Sequence, residues 1–308
     1  MYEIQTDVVI VGGGPAGLSA AVAAKKEGAE KVLIIERDEK LGGILQQCIH
    51  PGFGLTYFHK ELTGPEYAGH FKEEALALGA EVLLNSMVLE VIPEESAVIC
   101  VNSEYGMTKV KAGSIVLAMG CRERTRAGIM IPETEEFIPC DTLLLSVGLI
   151  PENELSRGAD VKISRITNGP EVNQYMQTSW DNVFACGNVV HVNDLVDNVT
   201  VESMNAGASA ARYAMHKLPE ANREVPSVTG ENVRYLCPQR VKIGEENETV
   251  RLFFRVLHPE LDVVIRVKSG DKVLSEKKAK RVNPGEMCHV EVKTAEITGD
   301  DVMVEVVK

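Results

Sequence analysis

Three glycines near the amino terminus have the spacing that lets a backbone wrap a phosphate group. Gly12, Gly14 and Gly17 follow a β-branched run, and Glu36 stands 24 positions after Gly12. In a dinucleotide-binding turn the first glycine permits the tight turn, the second lets the backbone approach a pyrophosphate, and the third allows close helix–strand packing. The carboxylate of Glu36 would accept hydrogen bonds from the ribose hydroxyls and would repel a 2′-phosphate. These residues predict a dinucleotide other than NADP and leave FAD and NAD open.

A strand, a helix and a second strand must hold this turn in place. Residues 7–11 predict a buried strand, residues 18–26 have helical spacing, and residues 31–36 predict the next strand. Because the helix begins at the turn, its free N–H groups and the positive end of its dipole would face the phosphates. Such a β-turn-α-β unit implies a parallel sheet with a right-handed crossover.

Later segments continue this pattern and then change it. A helix is predicted at residues 65–78, and strands are predicted at 81–84, 114–118, 142–147 and 182–185, the last leading into an alanine-rich helix that ends near Lys217. Residues 219–231, rich in Pro, Asn and Glu, predict a linker. Alternating runs then predict a small antiparallel β domain. Its strands are predicted at 233–236, 249–256, 263–267, 289–292 and 302–307.

Composition restricts the partners and the metal chemistry. The net charge of −13 disfavours nucleic acid, since binding its backbone needs clustered cations. No apolar run approaches the roughly 20 residues of a membrane span, and we expect no signal peptide because Met1 leads within a few residues into a predicted strand. The seven cysteines form no close pair, so we predict neither disulfides nor a metal site. We expect a cytoplasmic protein that exchanges electrons with a small molecule or a protein.

Two further segments identify the nucleotide by resemblance. TSWDNVFACGN at residues 178–188 resembles the second FAD motif of the two-dinucleotide-binding-domain flavoproteins, and SIVLAMG at 114–120 resembles their middle motif. This pyridine nucleotide-disulfide oxidoreductase-like superfamily includes the thioredoxin and glutathione reductases. The resemblance implies an α/β fold with a three-layer, Rossmann-like domain that binds FAD. The aspartate that usually ends the second motif is Asn188 here, whose amide oxygen can still accept a hydrogen bond.

The resemblance also implies which residues contact FAD. A helix starting near Val201 would direct its N–H groups at flavin N1 and O2. The implied cofactor-binding residues are Gly12, Gly14, Pro15, Ala16, Gly17, Glu36, Arg37, Gly43, Leu45, Val88, Ala118, Met119, Gly120, Gly187, Asn188, Val201 and Glu202.

Cys48 is the candidate catalytic residue, because it follows the Gly42-Gly43 turn that runs beside the flavin in this superfamily. One interpretation is a thiolate in charge-transfer contact with the flavin, with His50 tuning its pKa. The other is a small packed residue near the isoalloxazine, and we favour this second interpretation.

Nearly the whole chain resembles a bacterial FAD- and NAD-dependent oxidoreductase subfamily associated with glycerol 3-phosphate dehydrogenase. LGGILQQCIHPGFG at 41–54 and DTLLLSVGLIPEN at 141–153 carry this resemblance. Those relatives have an inserted NAD-binding domain where this chain has only residues 121–140. We therefore predict that the NAD domain is missing. The FAD-binding domain would span residues 1–220, from segments of about 1–125 and 134–220, and the β domain residues 228–308.

Three functions follow as hypotheses. The first is an FAD-dependent oxidoreductase, or its FAD-binding core, that exchanges hydride or electrons through flavin N5 and reacts weakly with NAD(P)H. The alternative is a catalytically silent FAD-binding or assembly module that partners a dehydrogenase subunit. A simple NAD-dependent dehydrogenase is the third, but it leaves the motif at residues 178–188 unexplained.

Overall fold

The computed structural model describes residues 1–124, 131–144 and 148–308. The helices of this part are α1 (Pro15–Glu27), α2 (Gly64–Ala77), α3 (Glu154–Gly158) and α4 (Val196–Ala214). Its strands are β1 (Tyr2–Val11), β2 (Val32–Ile35), β3 (Pro51–Phe53), β4 (Leu62–Thr63), β5 (Glu81–Leu83), β6 (Ser86–Ile92), β7 (Ala97–Asn102), β8 (Gly106–Leu117), β9 (Cys121–Glu123), β10 (Leu149–Pro151), β11 (Val183–Ala185), β12 (Arg223–Thr229), β13 (Val233–Cys237), β14 (Arg240–Ile243), β15 (Thr249–Val256), β16 (Glu260–Ser269), β17 (Lys272–Val282), β18 (Cys288–Lys293) and β19 (Val302–Val307). Among the described helices, none has the length and apolar character needed to cross a membrane.

A mixed sheet, parallel over most of its strands, forms the centre of the amino-terminal region. The strand order is β5-β2-β1-β8-β7-β6, and β11 pairs with the far end of β8. Strands β5, β2, β1, β8 and β11 run parallel to one another. The β-branched ends of β1 and β2 are buried, as expected for a strand covered on both faces. The predicted α/β fold is confirmed.

Strand β8 connects two kinds of pairing. Its first half pairs antiparallel with β7, which pairs antiparallel with β6. Its last residues, 115–117, pair parallel with β11 on one side and with β1 on the other. The end of β8 therefore lies between the ends of two other strands that carry sequence motifs.

Helices α1 and α4 pack against each other at very short range. Gly207 of α4 lies so close to Ala20 that an added Cβ would overlap the Ala20 carbonyl oxygen. Small side chains make this approach possible, because they keep the helix axes close. The small buried residues of α1 are Ala16, Gly17, Ser19, Ala20, Ala21, Ala23 and Ala24.

The carboxyl-terminal region consists of two sheets around a second core. One has the order β14-β12-β19-β16-β17 and the other the order β13-β15-β18. All pairs are antiparallel except β12 with β19. Alternating residues of β15 and β19, such as Leu252, Phe254 and Val304, are fully buried between the sheets. The predicted β domain is confirmed as part of the fold.

The linker predicted at residues 219–231 is wrong. Strand β12 occupies most of this stretch, pairing with β14 as far as Pro226 and with β19 from Ser227 onward. Pro226 lies where the strand changes partner, so its missing N–H donor is tolerated. The sheet thus begins at Arg223, before the predicted domain boundary at residue 228.

The strand predicted at residues 142–147 is also wrong where it can be observed. Residues 142–144 have no regular structure, and residues 145–147 lie outside the described part of the chain. Strand β10 follows instead and pairs antiparallel with β9. The chain thus leaves the end of β8 through β9 and returns beside it through β10.

Replacing Gly207 with alanine tests the contact between α1 and α4. Because the new methyl group would overlap the Ala20 carbonyl, we expect Gly207→Ala to lower the free energy of unfolding by about 1–3 kcal/mol. The control is Gly69→Ala in α2, where an added Cβ meets no atom within 4 Å. This control should gain up to about 1 kcal/mol. Equal effects in urea unfolding followed by circular dichroism would contradict the close packing.

Candidate functional site

Four parallel strands end at one edge of the central sheet. Gly12 follows β1, Glu36 follows β2, Ala118 follows β8 and Gly187 lies two residues after β11. In a parallel α/β sheet the carboxyl ends of the strands form the crevice where ligands bind. The structure therefore brings together the glycine turn, the acidic residue and both later motifs.

The glycine turn is fixed by backbone contacts that exclude side chains. Gly12 has φ +106°, and an added Cβ would lie 2.5 Å from the Ala118 carbonyl oxygen. A Cβ on Gly17 would overlap the carbonyl oxygen of Gly12. Around Gly14, by contrast, the nearest atom to an added Cβ is the Cα of Gly43, at 4.0 Å. The turn is therefore tight at Gly12 and Gly17 and open at Gly14, where a phosphate needs room.

The start of α1 is suited to an anion. Its N-cap, Gly14, has extended geometry and supplies no side-chain hydrogen bond, and the first turn contains no acidic residue. Pro15 occupies the first helical position, which needs no N–H donor. The N–H groups of the buried residues Ala16 and Gly17 lie in this uncapped first turn. Such a helix start offers donors and a positive dipole end to a pyrophosphate.

Glu36 is buried, with 6% of its surface exposed, and is held by two backbone donors. Its Oε2 accepts a hydrogen bond from the Gly13 N–H at 2.7 Å, and its Oε1 accepts one from the Asp38 N–H at 2.9 Å. A carboxylate has about four acceptor positions, so each oxygen keeps capacity for a ribose hydroxyl. The adjacent Arg37 side chain is exposed.

The segment after Glu36 turns back towards the glycine turn. Gly43, with φ +53°, lies against Gly14, since an added Cβ on Gly43 would be 3.0 Å from the Gly14 Cα. A short 3₁₀-helix, Gly43–Gln47, then buries Leu45 in the core. Val88 is half-buried on β6 and packs against the same core.

The two later motifs meet beside this turn. Ala118 is buried and Met119 half-buried, while Gly120 has φ +75° with no atom within 4 Å of an added Cβ. The Asn188 amide donates to Cys121 Sγ at 3.5 Å, and its oxygen accepts from the Asn193 N–H at 2.9 Å. Asn188 thus stabilises its own loop and contacts Cys121.

The helix predicted to start near Val201 starts earlier, which corrects the roles of two residues. Because α4 begins at Val196, Val201 and Glu202 lie in its second turn and cannot present free N–H groups. Val201 is exposed, whereas Glu202 is buried and accepts from the Gly187 N–H at 2.6 Å. The helix starts without a side-chain cap, and Asp197 in its first turn accepts from the Tyr57 N–H.

Glu202 belongs to a buried polar group that the sequence did not indicate. Its second oxygen lies 2.7 Å from His191 Nε2. Burial works to lower the pKa of His191, but the neighbouring Cys237 and Glu202 raise it well above its ordinary value. Both neighbours therefore favour the protonated imidazole of His191. No spacing rule could have found this polar group, because the residues come from three separate segments.

Cys48 follows the 3₁₀-helix and is half-buried, with Sγ 3.5 Å from the Ile44 carbonyl oxygen. His50 contacts the Pro51 carbonyl and the Phe53 ring. In the described part of the chain no hydrogen bond joins His50 to Cys48, so the structure gives no support to His50 as a partner of the thiol. A role for Cys48 beside a flavin stays a prediction.

Comparisons with known proteins agree with this geometry. Over 125 residues the chain is 33% identical to a hydrogen cyanide synthase subunit of Pseudomonas protegens, covering 38% of this chain and 25% of the relative. Over 119 residues it is 30% identical to thioredoxin reductase of Ureaplasma parvum, covering 38% of this chain and 36% of that protein. The matches thus cover less than half of these relatives' lengths.

The fold is similar to that of thioredoxin reductases. The structure of the enzyme from Gloeobacter violaceus matches with a TM-score of 0.54 and 16% identity over 70% of this chain and 96% of that chain. That of T. acidophilum thioredoxin reductase matches with a TM-score of 0.56 and 16% identity over 68% of this chain and 99% of that chain. At this identity the likeness concerns the fold alone.

The sequence model of one protein family matches residues 6–132 and 124–209 of this chain, which is more than half of its length. The chain belongs to the pyridine nucleotide-disulphide oxidoreductase family. Membership of this family supports an oxidoreductase of the flavin-dependent kind.

Alanine at Gly12 tests the closeness of the turn to β8. Both Gly12 and Gly52 have positive φ, +106° and +120°, but only at Gly12 would an added Cβ meet another atom. We therefore expect Gly12→Ala to lower the free energy of unfolding by about 1–3 kcal/mol more than Gly52→Ala. Denaturant titration measures both variants. Similar losses in the two would show that the contact with Ala118 is not close.

Proposed function

We propose that this chain is the FAD-binding core of an oxidoreductase. The observation that carries the proposal is the convergence of four strand ends on an open glycine turn with an uncapped helix start. FAD fits this arrangement because the space beside Gly14 can take a pyrophosphate and the buried carboxylate of Glu36 can take a ribose. Bound FAD would supply hydride or electron exchange through flavin N5.

The chain's own residues bind and orient the cofactor. The backbone N–H groups at the start of α1 hold the phosphates, and Glu36 accepts the ribose hydroxyls. Ala118, Met119 and Gly120 line the same edge at the end of β8. The electron donor or acceptor is a small molecule or a protein, and a cytoplasmic location is part of this proposal.

We further propose that the chain lacks an NAD-binding domain found in its relatives. The pairing of β9 with β10 supports this, because it places Pro151, where the chain returns, opposite Cys121, where the chain leaves the end of β8. The Glu152 N–H also donates to the Gly120 carbonyl at 3.0 Å, next to the end of β8. A domain inserted between two such neighbouring strands can be absent without disturbing the sheet.

The resemblance to a subfamily associated with glycerol 3-phosphate dehydrogenase suggests the class of donor. A phosphorylated polyol, oxidised at a hydroxyl carbon, is the donor we propose to test first. An amine or a 2-hydroxy acid is the next candidate.

A catalytically silent assembly module is the second candidate function, and one observation favours it. Apolar side chains in and just after the interval of the proposed missing domain are strongly exposed, with Phe137 at 89% and Leu144 at 88%. Ile131, Ile138 and Leu143 are exposed as well. Exposed apolar side chains of this kind suit contact with another protein, such as a dehydrogenase subunit.

Glu36→Gln tests the ribose contact. A neutral amide replaces a charged acceptor, and hydrogen bonds to charged groups contribute about 1.5–3 kcal/mol, so we expect FAD affinity to fall about 10–100-fold. Glu39→Gln, at an exposed carboxylate nearby, should leave affinity within about twofold. FAD fluorescence quenching measures both affinities. Equal affinity in the two variants would remove Glu36 from the site.

Stopped-flow reduction tests the missing domain and separates the two functions. With no NAD platform, we expect NADH to bleach the bound flavin slower than about 0.1 s⁻¹, roughly 100-fold below a median turnover rate. Dithionite, which needs no binding site, should bleach it completely. Rapid bleaching by NADH would contradict the proposed absence.

The same instrument is then used with sn-glycerol 3-phosphate, amines and 2-hydroxy acids. Bleaching by any of these donors supports the oxidoreductase. Failure of the whole panel, while FAD stays bound, supports the assembly module.

A further inference from the structure

His191, Glu202 and Cys237 form a compact buried cluster between the two regions of the fold. His191 follows β11, Glu202 lies in α4, and Cys237 ends β13 of the β domain. One donor atom from each residue lies within 4.8 Å of the other two. The side chains of His191 and Glu202 are 1% and 2% exposed, and Cys237 is 1% exposed. Imidazole, carboxylate and thiol thus lie together where they are shielded from bulk solvent.

Surrounding hydrogen bonds orient these donors. The Gly187 N–H holds Oε1 of Glu202, and the hydroxyl of Tyr235 lies 3.4 Å from Nδ1 of His191. The opposite atoms, Oε2 and Nε2, lie 2.7 Å apart. Metal-binding histidines and carboxylates have this arrangement, in which the atom that does not bind the ion is fixed by an outer hydrogen bond.

The buried carboxylate of Glu202 needs a positively charged partner. A carboxylate removed from water is costly unless it is neutralised. Among the described residues the one ion-pair partner of Glu202 is His191, which carries a charge only when its imidazole is protonated. A divalent ion bound by one thiolate, one carboxylate and one neutral imidazole would give a site with zero net charge.

A cavity of about 360 Å³ borders the cluster. Glu202 and Cys237 form part of its wall, together with Asn205, Arg251 and Phe253. Zinc sites with three protein ligands keep a fourth position for water or substrate, whereas closed structural sites use four protein ligands. The cavity supplies space for that fourth position.

We propose that His191 Nε2, Glu202 Oε2 and Cys237 Sγ bind a Zn²⁺ ion whose fourth position faces this cavity. On binding, the thiol and the imidazole nitrogen release any proton they carry to solvent, and three bonds to zinc form. Zinc bonds of about 2.0–2.3 Å hold donors about 3.3–3.8 Å apart, so the side chains need to shift by about 1 Å or less. This site was not expected from the sequence, because its ligands are not closely spaced.

The proposal is tested on the full chain with Zn²⁺ and Co²⁺ as probes. After chelator treatment and dialysis, the protein should bind about one equivalent of zinc by elemental analysis, and Co²⁺ should give a thiolate-to-metal absorption band. Cys237→Ser should abolish this band and lower zinc affinity at least about 100-fold, more than the loss of a supporting partner costs. Cys100→Ser, at a buried cysteine on β7, should change neither.

X-ray absorption on the zinc-loaded wild-type protein decides the ligand set even if Cys237→Ser fails to fold. The expected shell contains one sulfur at about 2.3 Å and nitrogen or oxygen donors at about 2.0–2.1 Å. Binding of less than one tenth of an equivalent, a shell without sulfur, or one with two sulfurs would overturn the proposal. A cobalt band that persists in Cys237→Ser would do so as well. None of these readouts depends on flavin binding, so the site and the proposed function fail separately.

Discussion

The backbone of Gly12 passes so close to the end of β8 that a single methyl group would lie 2.5 Å from the Ala118 carbonyl oxygen. This contact places the glycine turn between two strand ends and directs the start of α1 at the open edge of the sheet. Gly17 in turn lies directly against the Gly12 carbonyl oxygen, with no room for a side chain. This close approach holds the helix against its strand. Every other part of the candidate site, including Glu36 and the end of β11, depends on these distances.

The remaining structure supports this edge from two sides. Helix α4 packs on α1 through Gly207 and also holds Gly187 through Glu202. The β domain is joined to the same region by backbone and side-chain bonds, such as those between Val172 and Gln239. The buried cluster at Cys237 lies along this junction. Only a few residues therefore separate this junction from the end of β11, so a displacement of side chains at the junction can alter the backbone there.

The sequence was informative where structure is local. The first strand, the turn, helix α1 and the second strand are specified by a β-branched run, fixed glycines and helical spacing within about thirty residues. Glu36 could be assigned for the same reason. The middle and second motifs were found through resemblance, since their meeting with the turn depends on pairing of β8 with β1 and β11.

Long-range pairing explains what the sequence analysis missed. Residues 223–229 contain a proline and polar residues typical of a linker, but β14 and β19 supply partners that no local pattern reveals. The start of α4 was placed too late because Leu195, its N-cap, provides no side-chain cap to recognise. His191, Glu202 and Cys237 come together only through the packing of the β domain, so cysteine spacing gave no signal.

The central claim is that these strand ends bind FAD, and the cofactor released on denaturation tests it most directly. Purified full-length chain is incubated with FAD, separated from free nucleotide by gel filtration and denatured, and the released compound is identified by chromatography and mass. The account predicts one FAD per chain, with an absorption band near about 450 nm before denaturation. Retention of NAD or FMN instead, or of no nucleotide, would contradict it.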